Sequence, residues 1–147
     1  MSLVENKKAR FNYEFIHTLE AGIELFGFEV KSLRQKQGAL DGAYVIARGN
    51  EAFLVGAYIT PYQPKNTPKD YDPRRNRKLL LTKKEIAELV GSDRKNGLTI
   101  IPVSVYNKGR KIKVEIALAR GKKKYDKREA LKKRDTEREM RREMKGH

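Results

Sequence analysis

The sequence contains no cysteine and no tryptophan, and it has only two histidines, His17 and His147. Without cysteine the chain cannot form a disulfide, a thiolate nucleophile or a cysteine-ligated zinc site. Two histidines give little support for a metal centre, and we expect no metal and no other cofactor. No run of about 18 apolar residues is present to span a bilayer. The first residues, MSLVENKKARF, lack the apolar segment of a secretory signal, so a soluble cytoplasmic protein is the simplest interpretation.

Positive charge dominates the composition, with 34 Lys or Arg against 19 Asp or Glu, a net charge of +15 and a pI near 10.0. A chain this basic predicts a polyanionic partner, and nucleic acid is the first candidate. An anionic membrane surface is the weaker candidate, because the basic segments lack a broad apolar face that lipid would bury.

The charge divides the chain into two parts. Residues 1–119 carry 21 basic and 13 acidic side chains, whereas residues 120–147 carry 13 basic and 6 acidic side chains. We therefore predict one folded domain over residues 1–119 and a basic tail over residues 120–147. The tail has few apolar residues, and each of its i,i+4 ion pairs adds only a few tenths of a kcal/mol to a helix. We expect the tail to be disordered when free and to become ordered on a polyanion, although a merely solubilising tail would have the same composition.

Hydrophobic periodicity predicts the first elements. Alternation from Phe11 to Leu19 predicts a strand, with Ile16 as its one misfit. From Glu20 to Arg34 the apolar residues lie three and four positions apart, which predicts one amphipathic helix. That helix would bury Val30 and leave Glu29 exposed.

Turn and cap signals predict the remaining elements. Gly49-Asn50 predicts the turn of a hairpin, and residues 107–109 predict the turn of a second one. The segment 60–77 holds four of the five prolines and predicts a long exposed loop. Thr82 opens a capping box for a helix that would end at Gly91. This order favours a mainly β fold, a small OB-type antiparallel barrel with two to three flanking α-helices and the C-terminal basic tail.

The long loop carries a dense cluster of cations. Between Tyr71 and Lys78, four cations occur within five positions beside a proline. Arginine binds phosphate through paired hydrogen bonds and stacks on bases, and a tyrosine ring offers a base a flat surface. These features favour an RNA-binding loop over a loop that is only solvated. The candidate RNA-binding residues are Tyr71, Arg74, Arg75, Arg77 and Lys78.

One short pattern is typical of an enzyme. Glu29-Val30-Lys31 matches the end of a nuclease pattern in which carboxylates hold a divalent metal and a lysine stabilises charge. The customary companion, an Asp at a nearby strand end, is not evident. We therefore expect no catalytic residue and no enzymatic activity.

Three collinear segments resemble signatures of the small protein B (SmpB) family, the SsrA-binding proteins of bacteria. They are GFEVKSLR at 27–34, YDPRRNRKLLL at 71–81 and GKKKYDKR at 121–128. NKKARFNYEF and FLVGAYITPY fit as well, so the similarity covers nearly the whole chain. One departure is Tyr71, where the family usually has His, because tyrosine can still stack on a base but cannot be protonated.

The resemblance implies an OB-type barrel that binds the tRNA-like domain of transfer-messenger RNA (tmRNA, or SsrA RNA). It implies delivery of that RNA to ribosomes stalled on messages without a stop codon, in trans-translation. Protein and tRNA-like domain together would imitate a tRNA, and the tail would become helical in the empty mRNA channel beside the decoding centre of the small subunit. Elongation factor Tu would take part through alanylated tmRNA. No large apolar stripe is left over to demand a second copy, so we expect a monomer.

The resemblance also implies functional residues. Its RNA-contacting positions match Asn6, Glu20, Leu80 and Lys113, and the basic residues next to Asn6 are Lys7, Lys8 and Arg10. Its ribosome-acting positions match Gly121, Asp126, Lys127 and Arg128, in a basic stretch shared with Lys122, Lys123, Lys124 and Tyr125.

These positions differ in how well they suit an RNA contact. Lys113 would lie on the solvated face of the last strand, as a phosphate contact should. Glu20 would accept a hydrogen bond from a base or a 2′-OH, or orient a cation, because a carboxylate repels phosphate. Leu80 would pack under a base or belong to the core.

A second function stays open at this point. A basic OB-type protein that binds ribosomal RNA as a fixed structural component, without a rescue role, would have the same composition.

Overall fold

The computed structural model describes residues 2–63, 65 and 67–122, without the side chains of residues 92–96. These residues form nine strands and three helices. In chain order the elements are β1 (Ser2–Glu5), α1 (Lys7–Asn12), β2 (Tyr13–Ile23), α2 (Gly27–Arg34), β3 (Gly38–Ala39), β4 (Tyr44–Arg48), β5 (Glu51–Val55), β6 (Tyr58–Ile59), β7 (Arg77–Leu80), α3 (Lys83–Asn96), β8 (Thr99–Lys108) and β9 (Lys111–Gly121).

Seven of the strands form one antiparallel sheet in the order β1-β8-β9-β2-β7-β5-β4, and β3 pairs with β6 in a separate ribbon. The sheet curls so that β4 returns to contact β8, and α3 packs where β4, β8 and β9 approach one another. A curled sheet protects its outermost strands from pairing with other chains. The predicted fold class, a mainly β antiparallel barrel with two to three helices, is confirmed.

The core lies inside this curled sheet. On β9 the residues Ile112, Val114 and Ile116 are buried, whereas Lys113 and Glu115 between them are partly exposed. The alternation stops at Ala117, where β9 is buried on both faces. A second buried cluster around Ala9 of α1, together with Ala117 and Ala119, covers this end of the sheet.

The structure corrects the predicted helix over Glu20–Arg34. Strand β2 continues to Ile23, and α2 begins only at Gly27. Ala21 pairs with Val114 on β9, and Gly22 pairs with both neighbouring strands. Pairing on both sides outweighs the helical spacing of a few apolar residues, since every interior strand position satisfies its backbone groups in the sheet.

Ile16, the misfit of the first predicted strand, has a structural explanation. The register of β2 on β9 shifts between Phe15 and His17, so Ile16 is the extra residue of a β-bulge and is 48% exposed. A bulge breaks the alternation of sides for one residue. The predicted strand began too early, because residues before Tyr13 form the short helix α1 instead.

The turn at Gly49-Asn50 and the capping box are confirmed, whereas the second turn lies at Gly109-Arg110, because Asn107 and Lys108 still pair with β9. In the capping box, Thr82 N donates to Glu85 Oε1 at 2.9 Å and Glu85 N donates to Thr82 Oγ1 at 3.2 Å. The predicted end at Gly91 is wrong, since α3 continues to Asn96 and Gly97 caps it with φ 61°. A helix commonly ends at a glycine because glycine tolerates this left-handed backbone conformation. Gly91 does not adopt that conformation and lies inside α3.

The tail is anchored where the described chain ends. Gly121 pairs with Tyr13, Lys122 N donates to Asn12 O at 2.8 Å, and Lys122 Nζ donates to Arg10 O at 3.1 Å. The predicted disorder and ordering of the tail concern residues from 123 onward, which lie outside the described residues.

The packing predicts the effect of a core truncation. Leu89 on α3 is 1% exposed, so Leu89→Ala should lower the free energy of unfolding by about 2–5 kcal/mol through lost burial and the remaining cavity. Urea unfolding monitored by circular dichroism measures this change. Ile16→Ala, at the exposed bulge, is the control and should change the same quantity by less than about 0.5 kcal/mol. Equal losses would show that the interior is not packed as described.

Candidate nucleic-acid interface

The outer face of the sheet brings together three residues that are distant in sequence. Gly22 on β2 pairs with Leu80 on one side and with Lys113 on the other. Directly opposed residues of neighbouring strands project to the same face, and so does Glu20, two positions before Gly22. Glu20, Leu80 and Lys113, called the sheet face below, therefore share one surface.

Gly22 leaves the centre of the sheet face open. A Cβ at this position would lie 3.1 Å from Leu80 Cβ, which is too close for an ordinary contact. A cavity of about 300 Å³ borders Gly22, Leu80 and Lys113. Leu80 is 51% exposed beside it. An exposed leucine next to a lysine suits the flat apolar surface and the flanking phosphate of a nucleotide.

Glu20 has fixed partners on β8. Lys108 Nζ donates to Glu20 Oε1 at 2.9 Å, and the hydroxyl of Tyr106 donates to Oε2. These hydrogen bonds, from Tyr106 first and Lys108 second, lower the pKa of Glu20. The carboxylate is therefore ionised at neutral pH and orients a lysine and a tyrosine on the sheet face. The sequence had not indicated Tyr106 or Lys108, because only the register of β8 on β9 places them beside Glu20.

Helix α1 extends this surface. A cavity of about 690 Å³ is bordered by α1 and by Glu115, which pairs with Glu20 across β2 and β9. Lys7, Lys8 and Arg10 are exposed on α1. Asn6 is only 7% exposed, and its Nδ2 donates to Pro102 O at 2.9 Å. Asn6 therefore fixes the start of α1 on β8.

The long loop is held against the barrel around one buried carboxylate. Glu29 on α2 is 0% exposed and accepts hydrogen bonds from Arg75, Arg77 and Tyr71. Arg75 Nε lies 3.1 Å and Arg77 Nε 2.8 Å from Oε2, and the Tyr71 hydroxyl lies 2.8 Å from the same atom. These four residues are called the Glu29 cluster below. The prediction that Glu29 would be exposed on its helix is wrong, because the cluster buries it.

Arg77 is a structural residue of this cluster. It is 0% exposed, and its guanidinium donates to Ala57 O and Pro73 O, each at 2.9 Å, and to the hydroxyl of Tyr71 at 3.0 Å. The buried side chain presents no surface to a ligand, so the structure gives the predicted RNA contact of Arg77 no support. The sequence alone does not show which arginines of a charge cluster are buried and which are exposed.

The cluster shifts two pKa values. Burial by itself raises the pKa of Glu29, but the hydrogen bonds from Arg75 and Phe26 N and the charge of Arg77 outweigh it, so the net pKa is lowered. Burial, followed by the hydrogen bond to Glu29, raises the pKa of Tyr71 to about 12. At neutral pH the cluster therefore contains one carboxylate, two guanidinium groups and a neutral phenol.

The remaining predicted loop residues differ in their access to solvent. Tyr71 and Arg75 are partly exposed while bonded to Glu29, and Arg74 is exposed with its guanidinium 5.3 Å from the ring of Tyr58. Lys78 is partly exposed, two positions before Leu80 on the same face, with Nζ 3.8 Å from Glu51 Oε1. Of the predicted loop cations, Arg74 is therefore the most exposed, whereas Lys78 belongs with the sheet face.

The geometry does not suit the nuclease interpretation. Both oxygens of Glu29 already accept hydrogen bonds from arginine, which leaves no place for a divalent cation. Across residues 2–63, 65 and 67–122, no group of three or more histidine, aspartate or glutamate side chains is arranged to hold a metal. No helix in that part of the chain combines the length and apolarity that crossing a bilayer requires.

A curled antiparallel sheet with cations and an exposed leucine on its outer face defines a small basic barrel of the nucleic-acid-binding class. Comparison with known proteins identifies the family. The protein-family model described as SmpB protein matches residues 3–146, and the chain belongs to this family.

Individual relatives agree with this assignment. The SsrA-binding protein of Gloeothece citriformis is 48% identical over 143 residues, with 97% of this chain and 92% of the relative covered. That of Persephonella marina is 51% identical over 141 residues, with 96% and 92% covered. A chain of a solved structure, described as "tmRNA-SmpB: a journey to the center of the bacterial ribosome", is 43% identical with a TM-score of 0.68, covering 86% of this chain and 92% of that one.

The predicted tail residues fall on both sides of the described boundary. Gly121 pairs with Tyr13, and Lys122 donates to Asn12 O and Arg10 O, so the described chain ends beside α1. Lys123, Lys124, Tyr125, Asp126, Lys127 and Arg128 lie outside the described residues.

The Glu29 cluster predicts the effect of removing its charge. Glu29→Gln keeps the shape of the side chain but leaves Arg77 as an uncompensated buried cation, so the free energy of unfolding should fall by about 3–5 kcal/mol. Chemical denaturation at pH 7 measures it. The matched control is Glu51→Gln, which breaks an exposed contact at 3.8 Å to Lys78 and should cost about 0–1 kcal/mol. A small loss at Glu29 would contradict its role as the anchor of the loop.

The same cluster predicts a pH dependence. Because the pKa of Glu29 is lower in the folded state than its unfolded value of about 4.3, its contribution to stability is present above that pH and is lost as the pH falls through the folded pKa. Wild type should therefore lose more unfolding free energy than Glu29→Gln between neutral and acidic pH. Parallel curves from denaturant titrations at several pH values would disprove the linkage.

Proposed function

We propose that this chain binds the tRNA-like domain of tmRNA (SsrA RNA) and delivers it to stalled ribosomes in trans-translation. The observation that carries the proposal is the sheet face. Glu20, Leu80 and Lys113 are separated by up to 93 positions along the chain, yet pairing around Gly22 brings them together in a member of the SmpB family.

The RNA contacts divide by chemistry. Lys113 and Lys78 supply cations for phosphate, and Leu80 supplies an apolar surface for a base or ribose. Glu20 orders Lys108 and Tyr106, which would present one further cation and one flat ring to the RNA. Helix α1 adds Lys7, Lys8 and Arg10 at the far end of the same surface.

The tail would act on the ribosome. Residues 1–119 form the tmRNA-binding domain in this proposal, and residues 120–147 probe the empty mRNA channel beside the decoding centre of the small subunit. The support is compositional, because this segment carries a net charge of +7. The ribosome-binding residues would be Gly121, Lys122, Lys123, Lys124, Tyr125, Asp126, Lys127 and Arg128.

The remaining features of the proposal follow from the partner. A protein that works on ribosomes acts in the cytoplasm, and elongation factor Tu would join it through alanylated tmRNA. We infer that it acts as a monomer and without catalysis, as a binding adaptor. The family membership favours this function over that of a structural ribosomal-RNA-binding protein.

RNA identity tests the proposal directly. Protein isolated from cells and washed at roughly 0.2 M salt should retain tmRNA selectively, because nonspecific phosphate binding weakens steeply with salt. Sequencing the copurified RNA measures this. Equal retention of ribosomal RNA fragments would favour the structural alternative.

A lysine on the sheet face should matter more than one elsewhere. Lys113→Ala should weaken binding of the tRNA-like domain about tenfold, as expected for one charge-assisted hydrogen bond, and reduce the salt slope by about 1. Lys84→Ala, on the exposed start of α3, is the matched control and should change neither. Filter binding at several salt concentrations measures both, and equal effects of the two variants would count against the sheet face.

Removing the tail separates the two steps. A chain ending at Lys122 keeps the described barrel, so it should bind tmRNA with nearly unchanged affinity but should not support tagging on stalled ribosomes. Filter binding and a reconstituted tagging reaction measure the two properties. If RNA affinity collapses together with tagging, the division of labour is wrong.

A further inference from the structure

An aromatic cavity that the proposed function does not use lies beside the Glu29 cluster. It measures about 420 Å³, within the range of roughly 300–1,000 Å³ found for small-ligand sites. Its walls include the rings of Phe26, Phe28 and Tyr71. Phe26 is 50% exposed although it is a large apolar residue. A half-exposed phenylalanine at the mouth of an aromatic cavity is a stacking surface for a flat ligand.

The three rings contact one another and the Glu29 cluster. Phe28 meets Tyr71 edge to face with centroids 4.8 Å apart, and Phe26 lies 5.5 Å from Phe28. Tyr71 is fixed in turn by its hydrogen bond to Glu29. A preorganised platform loses little conformational entropy when a ligand binds to it.

Arg75 contributes a flat surface rather than a free charge. Its guanidinium lies 4.0 Å from the centroid of Phe26, and its Nε and Nη2 donate to Glu29. Because these donors are occupied by Glu29 and Nη1 donates to Asn76 O, the group has few N–H donors left to capture a phosphate. A guanidinium plane still stacks on bases.

The rim of the cavity is acidic. Asp70 and Asp72 line it, and Arg74 N donates to only one oxygen of Asp72, at 2.9 Å. Carboxylates repel phosphate but accept hydrogen bonds from the N–H groups of a base. The acidic rim by itself would also attract a cationic side chain, but the stacking surface of Phe26 and Arg75 favours a flat ring over an extended side chain. A neutral, flat ligand with N–H donors satisfies both constraints.

We propose that this cavity, formed by Phe26, Phe28, Tyr71 and Arg75 with Asp70 and Asp72 at its rim, binds one unstacked nucleobase of an RNA, with guanine preferred. Guanine presents N1–H and N2–H side by side to a single carboxylate, whereas the other bases present a single N–H group at the corresponding edge. The inference deepens the proposed RNA binding by adding a base-reading site apart from the sheet face.

Short RNAs of equal charge test the site. Fluorescein-labelled UUGUUU should bind the full-length protein at least about fivefold more tightly than UUUUUU, UUAUUU and UUCUUU. A preference of this size is expected when one base is read by paired hydrogen bonds. Fluorescence anisotropy measures the affinities, and equal phosphate number removes the nonspecific contribution. Equal affinity of all four oligomers would overturn the proposal.

Variants assign the effect to the cavity. Phe26→Ala should weaken the binding of UUGUUU at least about fivefold, which is the lower end of the range expected when one aromatic–base stack is lost. The double variant Asp70→Asn and Asp72→Asn should keep the stacking but reduce the preference for guanine. Tyr44→Ala removes an exposed aromatic residue on β4 and should change nothing. An unchanged guanine preference in Phe26→Ala would overturn the assignment even if the oligomer binds.

Two further outcomes separate this inference from its foundation. If the wild-type protein does not bind tmRNA but shows a Phe26-dependent preference for guanine, the proposed function is wrong and the cavity is supported. Normal tmRNA binding without that preference would defeat the cavity alone. If a Gly-Lys-Gly peptide shifts the Phe26 and Phe28 ring resonances in NMR spectra while UUGUUU does not, the site takes a cationic side chain and the inference is wrong.

Discussion

The buried carboxylate of Glu29 is the interaction on which the loop side of the molecule depends. It receives two guanidinium groups and a phenol from one proline-rich segment and so attaches that segment to α2. A loop with this composition would otherwise be a mobile, self-repelling strip of cations. Because a buried charge is tolerated only when it is paired and hydrogen-bonded, the carboxylate and the arginines constrain each other's positions. The aromatic cavity exists because this pairing holds Arg75 and Tyr71 against the two phenylalanine rings.

The other side of the molecule depends on strand register. Gly22 sits in the sheet between Leu80 and Lys113, and its missing side chain leaves space that Leu80 partly fills. A shift of one residue in the β2–β9 pairing would turn Lys113 into the core and Val114 out of it, and a shift in the β2–β7 pairing would exchange Leu80 and Leu79 in the same way. The same register that buries the apolar residues therefore also positions the proposed RNA contacts. Stability and binding are coupled on this face, which is why a control lysine must come from outside the sheet.

The two surfaces use arginine and lysine differently. On the loop, Arg77 is wholly internal and Arg75 is bonded to Glu29, so two of the four cations in the cluster maintain the structure. On the sheet face and α1, the lysines keep their charge in solvent, where it attracts a polyanion over a distance of about 8–10 Å at ordinary salt. Counting cations along the sequence thus overestimates how many loop cations are exposed and overlooks Lys108 beside Glu20.

The sequence by itself determined the barrel class, the capping box at Thr82, the first hairpin turn, the basic character and the family, because these rest on local periodicity, turn chemistry and motifs. Ile16 even marked the bulge as a break in alternation. Only the tertiary structure decided that β2 extends through Glu20, that Glu29 is internal, that Arg77 is not a surface residue and that Tyr106 and Lys108 join Glu20. Each of these depends on partners more than 40 positions away in the chain. Local preferences are weak, about 1 kcal/mol or less per residue, and long-range pairing and ion-pair burial exceed them.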